Sequence, residues 1–339
     1  KLSGGINMLA RANICSRYAE RIMIDVGEFR AATFTELFDG VKSLPWEDYI
    51  GKYDAFPVNG RSIDSALFSI PDCQSIVKKA IVERLKQKYH ISHFEETGAE
   101  YRVRFFIYKN VASLMIDTSG EGLHKRGYRR KSNDAPLKET LGAAMCNLAR
   151  IYPDTLMFDP FCGSGTLLIE AALKATNTAP GLRRFFSAER FGFIPDNIWR
   201  EERMRAQDLI VHNIEFRAQG FDTDPNAVAL TNENAEKAGM KKYVKASVGD
   251  VRDFTVPDER CLVITNPPYG ERLLDVKAAE ELYAVMGQRF KEGCGRKYYI
   301  ISPHDEFERF FGREADKRRK LYNGMIKCQL FMYFKNRER

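Results

Sequence analysis

The sequence predicts an α/β protein whose C-terminal part is a doubly wound parallel sheet and whose N-terminal part is a smaller α+β unit. Three observations support this prediction. From Ala135 onward, short apolar strands alternate with helices, as in parallel sheets that carry helices on both faces. Residues 1–118 contain few glycine-rich loops and mix helical and strand patterns. Between the two parts lies a short segment of different composition, so we expect two domains joined by a linker.

Length and composition are those of a globular protein. The 339 residues suffice for about two domains at roughly 150 residues each. Apolar residues make up 44% and charged residues 29%, which excludes a disordered chain. No stretch approaches the roughly 18 consecutive apolar residues of a membrane helix, and no secretion signal precedes the first domain. We therefore expect a cytoplasmic protein that does not bind membranes.

The cysteines and the charge add little that is specific. The seven cysteines are scattered without a C-x-x-C pair, so we expect reduced thiols. His90 and His93 have no cysteine or carboxylate pattern beside them, so no metal site is predicted. A net charge of +7 is mild for this length, and the oligomeric state stays open.

The elements of residues 1–118 follow from periodicity and capping residues. Thr33 is a candidate helix cap, and Pro71 with Asp72 opens the helix with the clearest apolar stripe. Lys109-Asn110 separates two apolar runs and predicts a tight hairpin turn. The predicted elements are a helix passing into a strand over 15–26, a helix over 34–41, a strand over 63–69, a helix from 71 to 89, and hairpin strands over 101–108 and 112–117.

A glycine-rich and basic segment, Ser119 to Lys131, separates the two parts. One interpretation is a solvated hinge. The other is a strap that contacts the phosphates of a nucleic acid, with a tyrosine that stacks or packs. The candidate nucleic-acid-binding residues of this strap are Lys125, Arg126, Tyr128, Arg129 and Arg130. The predicted division is a first domain over 1–118, a basic linker over 119–136 and a second domain over 137–339.

The second domain alternates strands and helices around one long insertion. That insertion covers roughly residues 177–215. The predicted strands cover 155–158, 217–221, 244–248, 261–265, 298–302 and 327–334, and the predicted helices cover 137–151, 165–174, 227–238 and 278–290. Tyr322-Asn-Gly324 precedes the last strand and is typical of a hairpin loop.

The turn after the first strand of this domain, Asp159-Pro-Phe-Cys-Gly-Ser-Gly-Thr166, has the form of a nucleotide site. Its glycines allow the backbone to approach a ligand, and the helix that follows directs free N–H groups toward it. A dinucleotide fingerprint is not matched, because the third glycine does not fit. A tight turn without a ligand is the alternative.

Acids follow the next two strands as well. Asp222 is placed to bind both ribose hydroxyls of an adenosyl group, and Asp250 ends the strand after it. Acids at three consecutive strand ends lie at the edge where doubly wound sheets bind ligands.

A fourth strand leads into Asn266-Pro-Pro-Tyr269, which is suited to an exocyclic base amine. The lone pair of such an amine is delocalised, so two acceptors that hold its N–H bonds draw the nitrogen toward a tetrahedral form. We expect these acceptors to be the Asn266 side chain and the Pro267 carbonyl, whose direction is preset because Pro267 and Pro268 restrict φ. Tyr269 would stack on a base that leaves its helix.

These motifs resemble those of the THUMP-domain RNA methyltransferases related to the guanine-N2 methyltransferase of large-subunit ribosomal RNA. The segments that carry the resemblance are 159–166 with 168–172, Thr265 to Leu273, and Gly122 to Arg129. The similarity covers nearly the whole chain. It implies a ferredoxin-like THUMP domain that binds RNA, a Rossmann-like methyltransferase domain, S-adenosylmethionine as cofactor and ribosomal RNA as partner.

The resemblance also implies residue roles. Asn266, Pro267, Pro268 and Tyr269 would hold the guanine. The candidate cofactor residues are Asp159, Phe161, Cys162, Gly163, Gly165, Thr166, Asp222, Asp250 and Asn266. Members usually carry further residues ahead of the segment that begins at Lys1, so we expect the first domain to be N-terminally incomplete here.

Several alternatives stay open. The N-P-P-Y tetrapeptide also serves enzymes that methylate DNA adenine or a protein glutamine. A non-catalytic RNA-binding module is a further alternative, against which the intact Asn266 weighs. The basic cluster Lys317-Arg-Arg-Lys320 is either a solvated face or a contact to the RNA backbone.

Overall fold

The computed structural model describes residues 1–129, 137–269 and 276–335. Its contacts divide the chain into two compact units, which are described separately. The first comprises residues 1–123 and 184–205, and the second comprises 124–183 and 206–339. Residues 184–205 interrupt the second unit in sequence but group with the first. The limits 1–118, 119–136 and 137–339 remain a prediction, and part of the linker lies outside the described residues.

The first unit is built on a four-stranded sheet. Its strands are β1 (Met23–Arg30), β2 (Val58–Ile63), β3 (Val103–Tyr108) and β4 (Val111–Asp117). Its helices are α1 (Ile6–Cys15), α2 (Phe34–Ser43) and α3 (Ile70–Tyr89), with short 3-10 helices at Trp46–Asp48 and Ser187–Arg190. The strand order is β1-β4-β3-β2; β4 is antiparallel to both neighbours, and β2 is parallel to β3.

Local signals account for most of this unit. Thr33 and Glu36 form a capping box at the start of α2, as the candidate cap predicted. Helix α3 buries five residues at helical spacing, Cys73, Val77, Ala80, Ile81 and Leu85. Lys109 and Asn110 both have positive φ, which is the conformation that a two-residue hairpin turn requires.

Two elements differ from the sequence prediction. The predicted strand over 63–69 is wrong, because β2 is the preceding segment, Val58–Ile63. The backbone of β2 pairs with β3, and this pairing decides the strand where local propensity was ambiguous. The predicted helix over the start of 15–26 is also wrong: α1 ends at Cys15, and β1 begins at Met23.

The second unit holds a seven-stranded, mainly parallel sheet. Its strands are β5 (Leu156–Asp159), β6 (Arg217–Asp222), β7 (Val244–Val248), β8 (Leu262–Thr265), β9 (Lys297–Ser302), β10 (Lys317–Asn323) and β11 (Ile326–Tyr333). The strand order is β10-β11-β9-β8-β5-β6-β7. The chain adds β6 and β7 on one side of β5 and then returns with β8 on its other side. Ligands bind at such a switch point, outside the carboxyl ends of the strands.

Helices cover both faces of this sheet. They are α4 (Glu139–Leu148), α5 (Thr166–Ala175), α7 (Pro225–Lys237), α8 (Val276–Arg289) and α9 (Phe307–Phe311). Helix α6 (Asp196–Asp208) lies in the insertion, and most of it belongs to the first unit. Successive strand residues face opposite cores, so Met157 joins one apolar cluster and Phe158 the other. Strands β5 and β8 are buried along their whole length, which explains their continuous apolar character.

Two general properties complete the description. All seven cysteines lie within the described residues and are free thiols, as the sequence predicted. None of the helices in the described ranges combines the length and the apolar character that spanning a membrane requires.

Candidate active site

The glycine turn between β5 and α5 depends on two left-handed glycines. Gly163 has φ +52° and Gly165 has φ +81°, so both adopt a conformation that side chains disfavour. A Cβ on Gly165 would lie 2.8 Å from Thr231, so close packing also requires glycine there. A Cβ on Gly163 would meet no heavy atom within 4 Å. Open space therefore lies beside Gly163, where a ligand can approach the backbone.

Two side chains of helix α7 hold this turn by hydrogen bonds to its carbonyl groups. Thr231 Oγ1 donates to the Gly163 carbonyl at 2.8 Å, and Asn234 Nδ2 donates to the Ser164 carbonyl at 2.9 Å. Both side chains are fully buried. The sequence analysis missed them, although polar residues three positions apart on the apolar face of α7 were a detectable signal. They fix the Gly163 and Ser164 carbonyls and so hold the turn in place.

Asp222 connects the turn to the ends of the two neighbouring strands. One of its carboxylate oxygens accepts from Gly163 N at 3.0 Å, and the other accepts from Asp224 N at 3.0 Å. The Asp222 carbonyl accepts from Gly249 N at 3.1 Å, next to Asp250. A carboxylate has about four acceptor positions, so Asp222 keeps capacity for ligand hydroxyls. Asp250 is half-buried and forms an ion pair with Arg252 at 2.7 Å.

Asp159 joins the glycine turn to the fourth strand end. Its carboxylate accepts from Thr265 Oγ1 at 2.7 Å and from Phe161 N at 3.2 Å. The residue is 1% exposed, and burial raises the pKa of its carboxyl to about 7. Thr265 immediately precedes Asn266, so this bond brings the two sequence motifs together. The sequence analysis did not single out Thr265.

The Asn266-Pro-Pro-Tyr269 segment is held by hydroxyl groups on both sides. Tyr269 donates from its hydroxyl to Asn266 Oδ1. Tyr283 of α8 donates to the Pro268 carbonyl at 3.4 Å and lies 3.2 Å from Ser302 Oγ. Pro267 is buried, whereas Asn266, Pro268 and Tyr269 are half-buried. Tyr283 and Ser302 were not predicted, because their sequence positions are far from the motif.

The remaining cofactor candidates have distinct environments. Phe161 is half-buried and packs on the aromatic core cluster. Cys162 and Thr166 are buried, so they can face a ligand only with backbone atoms. Burial raises the pKa of the Cys162 thiol, which agrees with packing rather than nucleophilic chemistry.

An open groove of about 620 Å³ runs from Gly249 and Asp250 past Phe221 and Phe254 to Arg217 at the start of β6; Gly163 and Asp222 lie outside its lining. The Phe221 and Phe254 ring centroids lie 5.7 Å apart. Aromatic walls next to a carboxylate suit the flat base and the hydroxyls of an adenosyl group. The open space at Gly163 and the acceptors at Asp222 are consistent with the same group.

The strap residues require a correction. Arg126 is 4% exposed and forms a buried ion pair with Glu170 at 3.3 Å. The Tyr128 hydroxyl donates to the same carboxylate at 3.3 Å. Arg129 pairs with Glu139 at 2.9 Å and donates to Thr166 Oγ1 at 3.0 Å. Burial removes Arg126 and Tyr128 as RNA contacts, whereas Arg129 is half-buried and its guanidinium is engaged by Glu139 and Thr166. All three side chains support α5 and the segment before it.

Two residues of the predicted set remain to be placed. Lys125 is exposed, and Arg130 lies outside the described residues. As for metals, no three His, Cys, Asp or Glu side chains in the described ranges are grouped to hold an ion.

Two family models match the chain. A THUMP domain model matches residues 31–117, and a model described as RMKL-like methyltransferase domain matches residues 126–331. A Bacillus subtilis protein provisionally named RNA methyltransferase YpsC is 43% identical over 328 residues, covering 96% of this chain and 85% of that protein. Ribosomal RNA large subunit methyltransferase K/L of Cellvibrio japonicus is 33% identical, covering 98% of this chain. The chain spans 46% of that relative's length.

Solved structures agree over nearly the whole chain. A Listeria monocytogenes protein, titled a predicted N6-adenine-specific DNA methylase, is 43% identical with a TM-score of 0.92, covering 98% of this chain and 86% of that chain. A provisionally assigned methyltransferase in complex with S-adenosylhomocysteine is 40% identical with a TM-score of 0.92, covering 99% of this chain and 89% of that one.

Proposed function

The chain belongs to the RMKL-like family of RNA methyltransferases with a THUMP domain and uses S-adenosylmethionine, and we propose that it methylates the exocyclic N2 amine of a guanine in ribosomal RNA. The observation that carries this proposal is the hydrogen bond between Thr265 and Asp159. It holds the amine-binding motif against the cofactor turn, so the amine and the methyl donor would meet at one sheet edge.

We assign the cofactor roles from the same edge. S-adenosylmethionine supplies an electrophilic methyl group when bound. Asp222 would accept hydrogen bonds from the ribose hydroxyls. Asp250 would hold the adenosyl group at the groove that Phe221 and Phe254 line. The backbone from Asp159 to Thr166 would line the remaining part of the cofactor.

The amine would be held by two acceptors. Asn266 Oδ1 has two lone pairs, and Tyr269 uses one of them, so the second remains for an amine N–H. The Pro267 carbonyl would accept the other N–H. Holding both bonds turns the nitrogen lone pair toward the methyl group, and positioning of this kind supplies much of the acceleration of a bimolecular transfer.

The proposal that the target is a guanine in ribosomal RNA rests on the similarity to relatives. The K/L relatives are named for large-subunit ribosomal RNA, and the THUMP match supports an RNA substrate. Of the strap residues, we still propose two as RNA contacts: Lys125, which is exposed, and Arg130, which lies outside the described residues.

The test is incubation with labelled S-adenosylmethionine and undermethylated ribosomal RNA, duplex DNA or protein, followed by nucleoside mass spectrometry of the RNA. We expect N2-methylguanosine in RNA, and none with Asn266→Ala. Label confined to DNA or to protein glutamine would overturn the RNA assignment. A methyl group on another base or atom would overturn only the guanine-N2 assignment.

The name of the Listeria monocytogenes relative favours adenine in DNA as the second candidate. The same tetrapeptide would hold an adenine N6 amine in the same way, so the motif does not separate the two bases. N6-methyladenine in the DNA arm of the experiment would support this candidate.

A further inference from the structure

The β10–β11 hairpin is an exposed, strongly basic element of the second unit. Strand β10 is the edge strand of the sheet, and Lys317, Arg318, Arg319 and Lys320 on it are all exposed. Lys327 at the start of β11 is exposed too. The strand register places Lys327 opposite Tyr322 and Gln329 opposite Lys320. Lys320, Tyr322 and Lys327 therefore share one face of the hairpin, which we call the outer face.

Most of this charge is not neutralised locally. Arg318 is paired with Glu308. Within the described ranges, no carboxylate lies at ion-pair distance from Lys320 or Lys327. Instead, the Lys320 ammonium lies 5.3 Å from the Tyr322 ring centroid. An uncompensated cation pair beside an aromatic ring suits a phosphate backbone and its bases better than it suits an acidic protein surface.

The tip of the hairpin is apolar and exposed. Tyr322 is 54% exposed, and Met325 is 97% exposed beside Gly324, whose φ is +64°. Exposing large apolar side chains to water is unfavourable in free energy, and a partner that covers them removes this cost. Side chains of this kind stack on unpaired bases or fill the space left by a base that has moved out of a helix.

The inner side of the same hairpin contacts the catalytic motif. Tyr269 packs against the apolar cluster that includes Cys328 and Leu330, together with Leu321 and Ile326. The side chains of Asn323 and Cys328 lie within hydrogen-bonding reach of the Tyr269 hydroxyl. Tyr269 in turn holds Asn266. The hairpin is thus attached to the residues that would hold the amine.

We propose that the outer face of the β10–β11 hairpin binds the phosphates of the RNA segment that carries the target nucleotide, with Tyr322 and Met325 contacting the neighbouring bases. This inference rests on the proposed RNA substrate. A nucleotide that enters the site must leave its strand next to Asn266. The inner side of the same hairpin packs on the apolar cluster that Tyr269 also contacts, which connects the outer face to the site through one element.

The test compares two charge reversals in the same unit. The double variant Lys320→Glu with Lys327→Glu removes the outer-face cations. The control, Lys241→Glu with Lys242→Glu, changes the same number of exposed lysines immediately before β7, at the opposite edge of the sheet. Binding of an undermethylated ribosomal RNA fragment is measured by fluorescence anisotropy with S-adenosylhomocysteine present, at several salt concentrations.

We expect the hairpin variant to raise the RNA Kd at least tenfold and to flatten the plot of log K against log salt by more than one unit, since each phosphate contact to a single strand contributes about 0.7 to that slope. S-adenosylhomocysteine affinity should stay within twofold, and the control should bind RNA within twofold of the wild type. Tyr322→Ala with Met325→Ala should weaken binding and leave the salt slope unchanged.

The inference is overturned if the hairpin variant has the same RNA Kd and the same salt slope as the wild type. It is also overturned if the control variant loses as much RNA affinity as the hairpin variant, or if the wild type does not bind RNA. The double variant Lys320→Gln with Lys327→Gln is a control for misfolding, because it removes the two positive charges without introducing negative ones. It should lose less RNA affinity than the glutamate variant and more than the control. If RNA binding depends on the hairpin but no methyl group is transferred to RNA, the proposed function fails and the binding surface stands.

Discussion

Tyr269 donates its hydroxyl hydrogen bond to Asn266 Oδ1, the oxygen expected to receive the substrate amine. The bond fixes the direction of that oxygen before any substrate arrives. It also makes the tyrosine hydroxyl part of the site, whereas the sequence suggested only its ring.

Replacing this hydroxyl should therefore slow methyl transfer. Tyr269→Phe keeps the ring and its packing but releases the Asn266 side chain. We expect kcat to fall about tenfold, the effect of losing one orienting hydrogen bond of about 1.4 kcal/mol, with the KM for S-adenosylmethionine unchanged. Steady-state kinetics measure both values. A wild-type kcat would show that the bond does not orient Asn266.

Asp222 has a predicted role in cofactor affinity. Asp222→Ala removes the acceptor of Gly163 N as well as the proposed ribose contact, so S-adenosylhomocysteine affinity should fall more than tenfold in calorimetry. Asp224→Ala is the matched control, because Asp224 caps α7 and should change affinity less than threefold. Equal affinities of wild type and Asp222→Ala would remove the ribose assignment.

The two left-handed glycines should respond differently to alanine. Gly165→Ala forces a Cβ to within 2.8 Å of Thr231 in addition to backbone strain, so we expect a stability loss of about 3 kcal/mol. Gly163→Ala adds only the strain, about 1 kcal/mol, because its Cβ enters open space. That space is where the cofactor would lie, so Gly163→Ala should weaken cofactor binding more than it weakens folding. Urea unfolding and calorimetry separate the effects, and equal stability losses would contradict the packing difference.

Burial of Asp159 predicts a pH-dependent stability. Its pKa is raised from about 4 in the unfolded chain to about 7 in the folded protein, so the folded protein binds the proton more tightly. The contribution is fully present below pH 4 and is lost as the pH rises to about 7, by up to about 4 kcal/mol. Asp159→Asn lacks this titration.

The measurement is the difference in the free energy of unfolding between wild type and Asp159→Asn, from pH 4 to pH 8. The wild type should lose stability relative to the variant over that range. Burial also raises the pKa of Glu139 to about 7, but that contribution is common to both proteins and cancels. A constant difference would contradict the raised pKa.

The correction at the strap can be tested through Glu170. Glu170→Gln leaves the buried Arg126 without its carboxylate, and we expect a loss of about 3 kcal/mol in the free energy of unfolding. Lys125→Gln, on the exposed neighbour of Arg126, should stay within about 0.5 kcal/mol. A loss below 1 kcal/mol for Glu170→Gln would mean that the ion pair is not a structural support.

The parts of the fold that depend on short-range chemistry were predictable. The capped start of α2, the Lys109-Asn110 turn and the stripe of α3 need only neighbours within a few residues. The glycine turn at 159–166 and the motif at 266–269 could also be identified from the sequence, because the residues that define each lie within one short segment. Strand ends follow from alternation, so the convergence of Asp159, Asp222 and Asn266 on one edge could be expected.

Other features depend on partners far away in sequence. Residues 184–205 join the first unit because Glu202 pairs with Arg11 and Phe191 stacks on Tyr101. Thr231 and Asn234 support a turn that lies nearly 70 residues before them.

The sequence by itself determined the fold class, the glycine turn and the tetrapeptide that we propose to bind the amine, because each is encoded by adjacent residues whose backbone preferences agree. Only the tertiary structure decided which charges remain at the surface. The sequence pattern suggested Arg126 and Tyr128 as RNA contacts, but both are buried against Glu170, more than 40 residues later, whereas Lys320 and Lys327 are exposed on the β10–β11 hairpin. A charged side chain is buried only when a distant partner offsets its desolvation, and no local pattern contains that partner.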